Sequence, residues 1–128
     1  MTSAKEDVMA QEMSAGVTRV RFPPERADDV IRDLKGRIAD EHKKLKNQGL
    51  RDAFFLVNRE AGEAIGVAIW SDKKRMKEVE GKTTREDPAA TRDPNRAPTD
   101  FSKVRAKAVQ EEGATMESSD WYEVVASV

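Results

Sequence analysis

Cysteine is absent from the chain, which in one observation removes disulfides, thiolate-ligated zinc, iron–sulfur centres and thiolate nucleophiles, and is compatible with the reducing cytoplasm. Histidine occurs once. A lone imidazole without cysteines or a fixed carboxylate partner does not make a metal site, so no metal and no cofactor is expected. An excess of either charge is missing as well: 23 basic side chains face 24 acidic ones, and no long-range field draws the molecule to nucleic acid or to an anionic membrane. No apolar run approaches the roughly 18 residues of a membrane helix, and "MTSAKEDVMAQEMSAG" lacks the apolar centre of a signal peptide. The composition describes a soluble cytoplasmic protein.

What is present is a single domain's worth of patterned sequence: 128 residues, enough to bury most of its apolar surface without staples. Residues 1–14 are polar and read as a flexible arm, with one domain over 15–128. "GVTRVRF" alternates as a strand does, Thr18, Val20 and Phe22 on one face and Val17, Arg19 and Arg21 on the other. Pro23 and Pro24 then end the ladder and suit a helix start.

Ala27, Val30, Ile31, Leu34, Ile38 and Leu45 recur at three- and four-residue spacing, the stripe of a long amphipathic helix that runs to about Lys46 and stops at Gly49. Gly36 inside it costs up to about 1 kcal/mol relative to alanine. It marks either close packing or an exposed position. "LRDAFFLVN" and "EAIGVAIW", joined through Gly62, form a β-hairpin, and the second run is apolar at both parities, as a strand covered on both faces must be.

Ser71 is placed to cap a helix carrying Met76 and Val79 inward. Residues 82–98 hold three prolines and no periodicity, so they read as a loop and lid candidate near a pocket mouth. A second helix, capped by Thr99, carries Phe101, Val104 and Ala108 to Gly113, and "WYEVVASV" closes the chain as a strand. The order strand, helix, hairpin, helix, strand predicts an α+β, ferredoxin-like antiparallel sheet with both helices on one face. The other face then exposes apolar side chains, and the simplest cover is a second copy of the chain.

The stretch "GLRDAFFLVNREAGEAIGVAIWSDKKRM" resembles the antibiotic biosynthesis monooxygenase family of the dimeric α/β barrel superfamily. The likeness rests on Gly49 before the second strand, the hairpin glycine Gly62, and the strand-ending Trp70 with Ser71 beside it. It implies a homodimeric α/β barrel and a cofactor-independent monooxygenase acting on a small aromatic or polyketide-like substrate. The chain departs from the family pattern at Gly66, where quinol-oxidising members carry an asparagine four residues before the tryptophan. It also lacks the first-strand asparagine and second-helix histidine of haem-degrading relatives. Those departures keep open a non-catalytic ligand-binding or structural dimer, and a cofactor-free cyclase or isomerase of the same superfamily.

Candidate site residues follow. Trp70 either floors a ligand cavity between sheet and helix or plugs the end of the core. His42 falls on the stripe of Ile38 and Leu45 and so faces the sheet. There it is either a proton shuttle for a bound phenol or enol, or a core residue hydrogen-bonded to backbone or to Tyr122. His42, Trp70 and Tyr122 are the catalytic candidates; Arg19, Arg21, Phe55, Trp70 and Trp121 are the substrate-binding ones. Arg19 and Arg21 share a strand face and need carboxylate partners such as Glu123 if that face is enclosed. The acidic runs "ERADD", "EDP" and "QEEG" read as solvated, and the basic runs "EHKKLK" and "DKKRMK" lack the stacking aromatics of a nucleic-acid surface.

Overall fold

The computed structural model describes residues 13–80 and 100–128, with no account of the side chains of residues 80 and 100–102. Strand β1 is Ser14–Arg21. A helical run follows without a break: a 3₁₀ turn at Pro24–Arg26, α1 at Ala27–Asp33, a π turn at Leu34–Ile38, α2 at Ala39–Leu45 and a 3₁₀ turn at Lys46–Gln48. Then come β2 at Leu50–Asn58, β3 at Glu63–Trp70, α3 at Lys73–Glu80, α4 at Asp100–Glu111 and β4 at Thr115–Glu123. All strand pairings are antiparallel in the order β2-β3-β1-β4. This is the ferredoxin-like α+β fold that the element order predicts. No helix among the described residues is long and apolar enough to cross a membrane.

Several local expectations hold for the reasons given. Pro24 opens the first turn, where its missing amide is not needed. Gly49, at φ 107°, ends the helical run because a side chain is disfavoured in that left-handed region. Gly62 is at φ 66° and its missing Cβ would lie 2.2 Å from the Phe22 carbonyl oxygen, and the Phe22 amide donates a 2.8 Å hydrogen bond to the Gly62 carbonyl oxygen. Strand entry and hairpin are thereby tied together.

Others are corrected. Asp72, not Ser71, caps α3: its Oδ1 accepts from the amide of Lys74 at 2.9 Å, whereas the Ser71 hydroxyl donates to the Gly49 carbonyl at 3.1 Å. Serine is thus used to close the β2 entrance, and the acid behind it meets the helix's first amides. Strand β4 begins at Thr115, six residues before the predicted start, and ends at Glu123. Its polar stretch hid it: Ser119 is buried opposite Thr18, their hydroxyls 3.4 Å apart, so a small polar pair occupies a core-facing position. Ser14 already belongs to β1, and Val124 N bonds Met13 O at 3.1 Å, so the predicted arm gives way to ordered chain at its end. The predicted loop at 82–98 and the Thr99 cap lie outside the described residues, as do residues 1–12.

Of the two expectations for Gly36, close packing is not met and the open position is the one its surroundings match. Apart from its chain neighbours and its own helix's backbone, no described atom stands within 4 Å of where its Cβ would be, and its backbone (φ −98°, ψ −106°) departs from helical geometry inside the π turn. A residue without Cβ absorbs the wide turn there.

The helices cover one sheet face. Ala64, Ala68 and Trp70 of β3 look toward them, and the core divides into two clusters. One joins Phe22, Ala27, Val30 and Ala64; the other joins Leu45, Leu50, Ala68, Trp70, Met76 and Val79, with Trp121 packed against it. On the opposite face the alternate residues Val17, Ile65, Val67 and Ile69 are partly covered by neighbours, while Phe54 and Leu56 are each 55% exposed. That face is apolar in its middle and rimmed by the ion pairs Arg19–Glu63 at 3.2 Å and Arg21–Glu117. The arginines therefore meet Glu63 and Glu117 rather than Glu123.

Candidate functional site

Small residues on the two central strands leave room under the helices. Gly16 and Thr18 on β1 lie opposite Ala68 and Gly66 on β3, and with glycine or alanine at three of these four places the sheet surface is low. Val30, Leu34, Ile38 and His42 of the long helix form one wall and Arg105, Ala108, Val109 and Glu112 of the α4 end form another. Between them is a cavity of about 80 Å³. One water needs about 10 to 15 Å³ by such a measure, so the space holds several waters or one aromatic ring. Among the described residues its lining is overwhelmingly apolar, with Thr18, His42, Arg105 and Glu112 as the polar side chains.

His42 is buried, and its Nδ1 is 2.9 Å from the Ile38 carbonyl oxygen. A carbonyl only accepts, so Nδ1 carries the proton and the basic nitrogen of the neutral ring is Nε2. The Phe55 ring meets the imidazole edge-on, centroids 5.1 Å apart at 82°, and also packs 3.7 Å from where a Gly66 Cβ would be. His42 and Phe55 thus form one corner of the cavity. Leu34 and Ile38, the ends of the π turn, both line it; such wide turns recur where a helix is shaped around a site.

The other sequence candidates are elsewhere. Trp70 is wholly buried at 0% exposure within the Leu45–Met76 cluster and does not line the cavity, so of its two readings the core plug is the one its surroundings match. Trp121 packs against that same cluster and carries Lys73 Nζ 3.7 Å from its ring centroid. Tyr122 pairs with Ala15 on the open sheet face, which also holds Arg19 and Arg21. Convergence of His42, Trp70 and Tyr122 on one cavity is therefore not what the fold produces: strand alternation sends Tyr122 through the sheet, and the large indole fills the end of the core beyond the small-residue floor.

Glu112 is the residue that sequence reasoning passed over. It belongs to "QEEG", read as solvated, yet it is 5% exposed because Gly113 ends α4 over the long helix. Its carboxyl is hydrogen-bonded to Asp33. Burial, and then the hydrogen bond and charge of Asp33, push Glu112 up to about 8 against the pull of Arg37 and Arg26. Burial opposes ionisation of Asp33 too, but hydrogen bonds from Glu112 and Arg37 outweigh it and hold that carboxyl below its usual range. Arg37 fixes the arrangement by donating to Asp33 Oδ2 at 3.0 Å and Glu111 Oε2 at 2.9 Å. The signal in the sequence was the three-residue offset of Glu112 from Val109 and its four-residue offset from Ala108, both on the inward stripe. Among the described residues, no three His, Asp or Glu side chains are grouped to hold a metal.

An antiparallel ferredoxin-like sheet with a ligand-sized cavity beneath its helices is the class of structure these observations define. No protein-family model matches the chain, and no curated protein matches it in sequence. Solved structures do match in fold. A conserved protein from Methanosarcina mazei Go1 aligns with TM-score 0.59 at 14% identity, over 91% of this chain and 96% of that one. SnoaB, a cofactor-independent oxygenase from Streptomyces nogalater, aligns with TM-score 0.54 at 16% identity, over 91% and 96%. A candidate antibiotic biosynthesis monooxygenase from Caulobacter crescentus CB15 aligns with TM-score 0.58 at 14% identity, over 96% and 99%. The likeness to antibiotic biosynthesis monooxygenase-like proteins that was read from the sequence is thus present in the fold, along nearly the whole chain.

Proposed function

We propose that the protein binds a small, largely apolar aromatic or polyketide-like molecule in the cavity beneath its helices and acts on it as a cofactor-independent monooxygenase of the cytoplasm. The observation that carries the reading is the cavity itself, apolar but for a few polar groups, in a fold shared with a cofactor-independent oxygenase. Such chemistry asks little of a protein. A substrate with an activated CH₂ loses a proton, the carbanion reduces dioxygen, and CH₂ plus O₂ becomes a carbonyl plus water. The enzyme supplies a dry pocket and proton handling, a role for which the presence of His42 and Phe55 in the cavity lining is the support. Dioxygen uptake in the presence of quinols, anthrones and enolisable aromatics tests the reading; a broad set that is neither bound nor oxidised refutes it.

The protein is further proposed to work as a homodimer joined through the open sheet face, whose exposed Phe54 and Leu56 and partly covered Ile65, Val67 and Ile69 favour a second apolar surface. A second functional reading, a ligand-binding dimer without catalysis, is favoured by one specific observation: at Gly66 the cavity floor offers no side chain where quinol-oxidising members of the resembled family carry an asparagine. A His42→Ala variant that keeps its fold and loses turnover of an identified substrate rules that reading out.

A further inference from the structure

We propose that the cavity takes its ligand through a carbonyl oxygen that accepts a hydrogen bond from Thr18 on the sheet floor, so that the ligand class is a flat aryl ketone or quinone. The inference rests on the reading of the cavity as a ligand site and specifies the chemistry of what fills it. Thr18 lines the cavity and is 8% exposed, and Ser119, paired with it on β4, is 9% exposed. Two hydroxyls thus lie side by side in the dry layer between sheet and helices. They carry two donor protons. The one side-chain hydrogen bond that either makes among the described residues is the contact between them, Oγ1 to Oγ at 3.4 Å. It is long beside the usual distance of about 2.7 to 2.8 Å for such bonds, and it uses one proton of the two. The other is a buried donor without an acceptor, which a folded chain seldom keeps without a partner to receive it.

Gly66 decides which hydroxyl meets the ligand. It is the β3 residue paired with Thr18, and residues paired in this way hold their side chains about 4.5 to 5.5 Å apart on one face. Glycine puts nothing there, so Thr18 is uncovered on the side away from Ser119, and a Cβ on Gly66 would meet only the Phe55 ring. Ser119 stands behind Thr18, outside the lining. With Ser119 donating to Thr18 and Thr18 donating onward, both protons are used once a ligand oxygen arrives. Gly16, two residues along β1 on the same face, extends the low floor, where a flat ring can lie close to the backbone with its oxygen at Thr18. The other polar groups of the lining do not duplicate this donor. The Nδ1 proton of His42 is held by the Ile38 carbonyl, and Arg105 and Glu112 belong to the wall at the α4 end. A hydrogen bond to a carbonyl strengthens as the oxygen gains negative charge. Thr18 therefore also suits the carbanion of the proposed oxygenation, whose charge an adjoining carbonyl draws onto its oxygen.

The test uses the full chain with acetophenone and with α-methylstyrene, which has the same shape with a CH₂ group in place of the carbonyl oxygen. Thr18→Val keeps the volume and removes the hydroxyl. It is expected to weaken acetophenone binding about tenfold, within the range for a buried acceptor that loses its donor, and to bind α-methylstyrene no more weakly than the wild type does. Thr18→Ser, which restores a hydroxyl, is expected to recover acetophenone. The infrared carbonyl stretch of bound acetophenone is expected to be lower in the wild type than in Thr18→Val, a readout that a packing role does not move. Weakening of both probes by one factor, or acetophenone binding that does not change, overturns the hydrogen bond while leaving the cavity reading standing; binding of neither probe to the wild type overturns both. Should Thr18→Val fail to fold, the hydroxyl proton resonance of Thr18 in the wild type decides. A downfield shift with acetophenone and none with α-methylstyrene supports the proposal, and an equal response to the two overturns it.

Discussion

The carboxyl of Glu112, just past the end of α4, is hydrogen-bonded to that of Asp33, at the end of α1, across a stretch of chain that holds β2 and β3. The pair predicts a pH dependence with a definite sign. Glu112 is raised from 4.5 to about 8, so between those values the folded state holds a proton that the unfolded state has lost, and stability falls as pH rises through that window. Asp33 acts oppositely: its lowered pKa contributes stability above the unfolded value of 3.8, lost as pH falls through the folded one. The expected result is a wild type less stable at pH 8 than at pH 5 by on the order of a few kcal/mol beyond the change shown by Glu112→Gln. Urea midpoints for both proteins at both pH values, at one protomer concentration, measure it; parallel curves reject it.

Trp70 is expected to behave as core. At 0% exposure among Leu45, Leu50, Ala68, Met76 and Val79, its replacement by phenylalanine leaves a void that the surrounding side chains only partly close. The predicted loss for Trp70→Phe is about 1 to 3 kcal/mol, read from denaturant midpoints at fixed concentration, with ligand affinity at the His42 cavity unchanged.

Architecture was legible in this sequence because it is written in periodicities. The hairpin strands Leu50–Asn58 and Glu63–Trp70 carry continuous β-favouring residues, and the stripe from Ala27 to Leu45 names the face that the long helix buries. The cavity was half legible: His42 on that stripe pointed to it, whereas the low floor made by Gly16, Gly66 and Ala68 emerges only once β1 and β3 are paired. What was not legible depends on contacts between distant segments. Ser119 in β4 reads as surface until Thr18 is opposite it, and Glu112 reads as solvated until Asp33 and Arg37 are folded onto it. Trp70 drew attention by its size, but size identifies what must be buried, not whether a ligand lies beside it.

Phe54 tests the proposed dimer. It is 55% exposed on the open face, with Leu56 exposed to the same degree and Val67 directly across from Phe54 on β3. Covering the half of each such side chain that is still exposed stabilises a two-fold interface by roughly 1 kcal/mol or more, about half the value for full burial, whereas a lysine there leaves an unpaired charge at the seam. Light scattering is expected to give twice the chain mass for the wild type and the single-chain mass for Phe54→Lys. A monomeric wild type at micromolar concentration refutes the interface.

Gly66 separates a ligand site from an incidental gap in the packing. Unlike Gly62, it is not among the glycines with positive φ, and a Cβ built on it meets only the Phe55 ring, at 3.7 and 3.9 Å, which is ordinary contact. Gly66→Ala is therefore expected to fold, and to gain up to about 1 kcal/mol, since alanine has less backbone freedom to lose than glycine. The added methyl enters the cavity floor between Thr18 and Phe55 and removes volume from a space that holds one ring. Stability and binding should then move in opposite directions: a higher denaturant midpoint with weaker binding of 4-nitroanisole. A variant that is stabilised and binds the ether as well as the wild type does would place the ligand outside this cavity, and one that is strongly destabilised would mean that the strand cannot accept a side chain there at all.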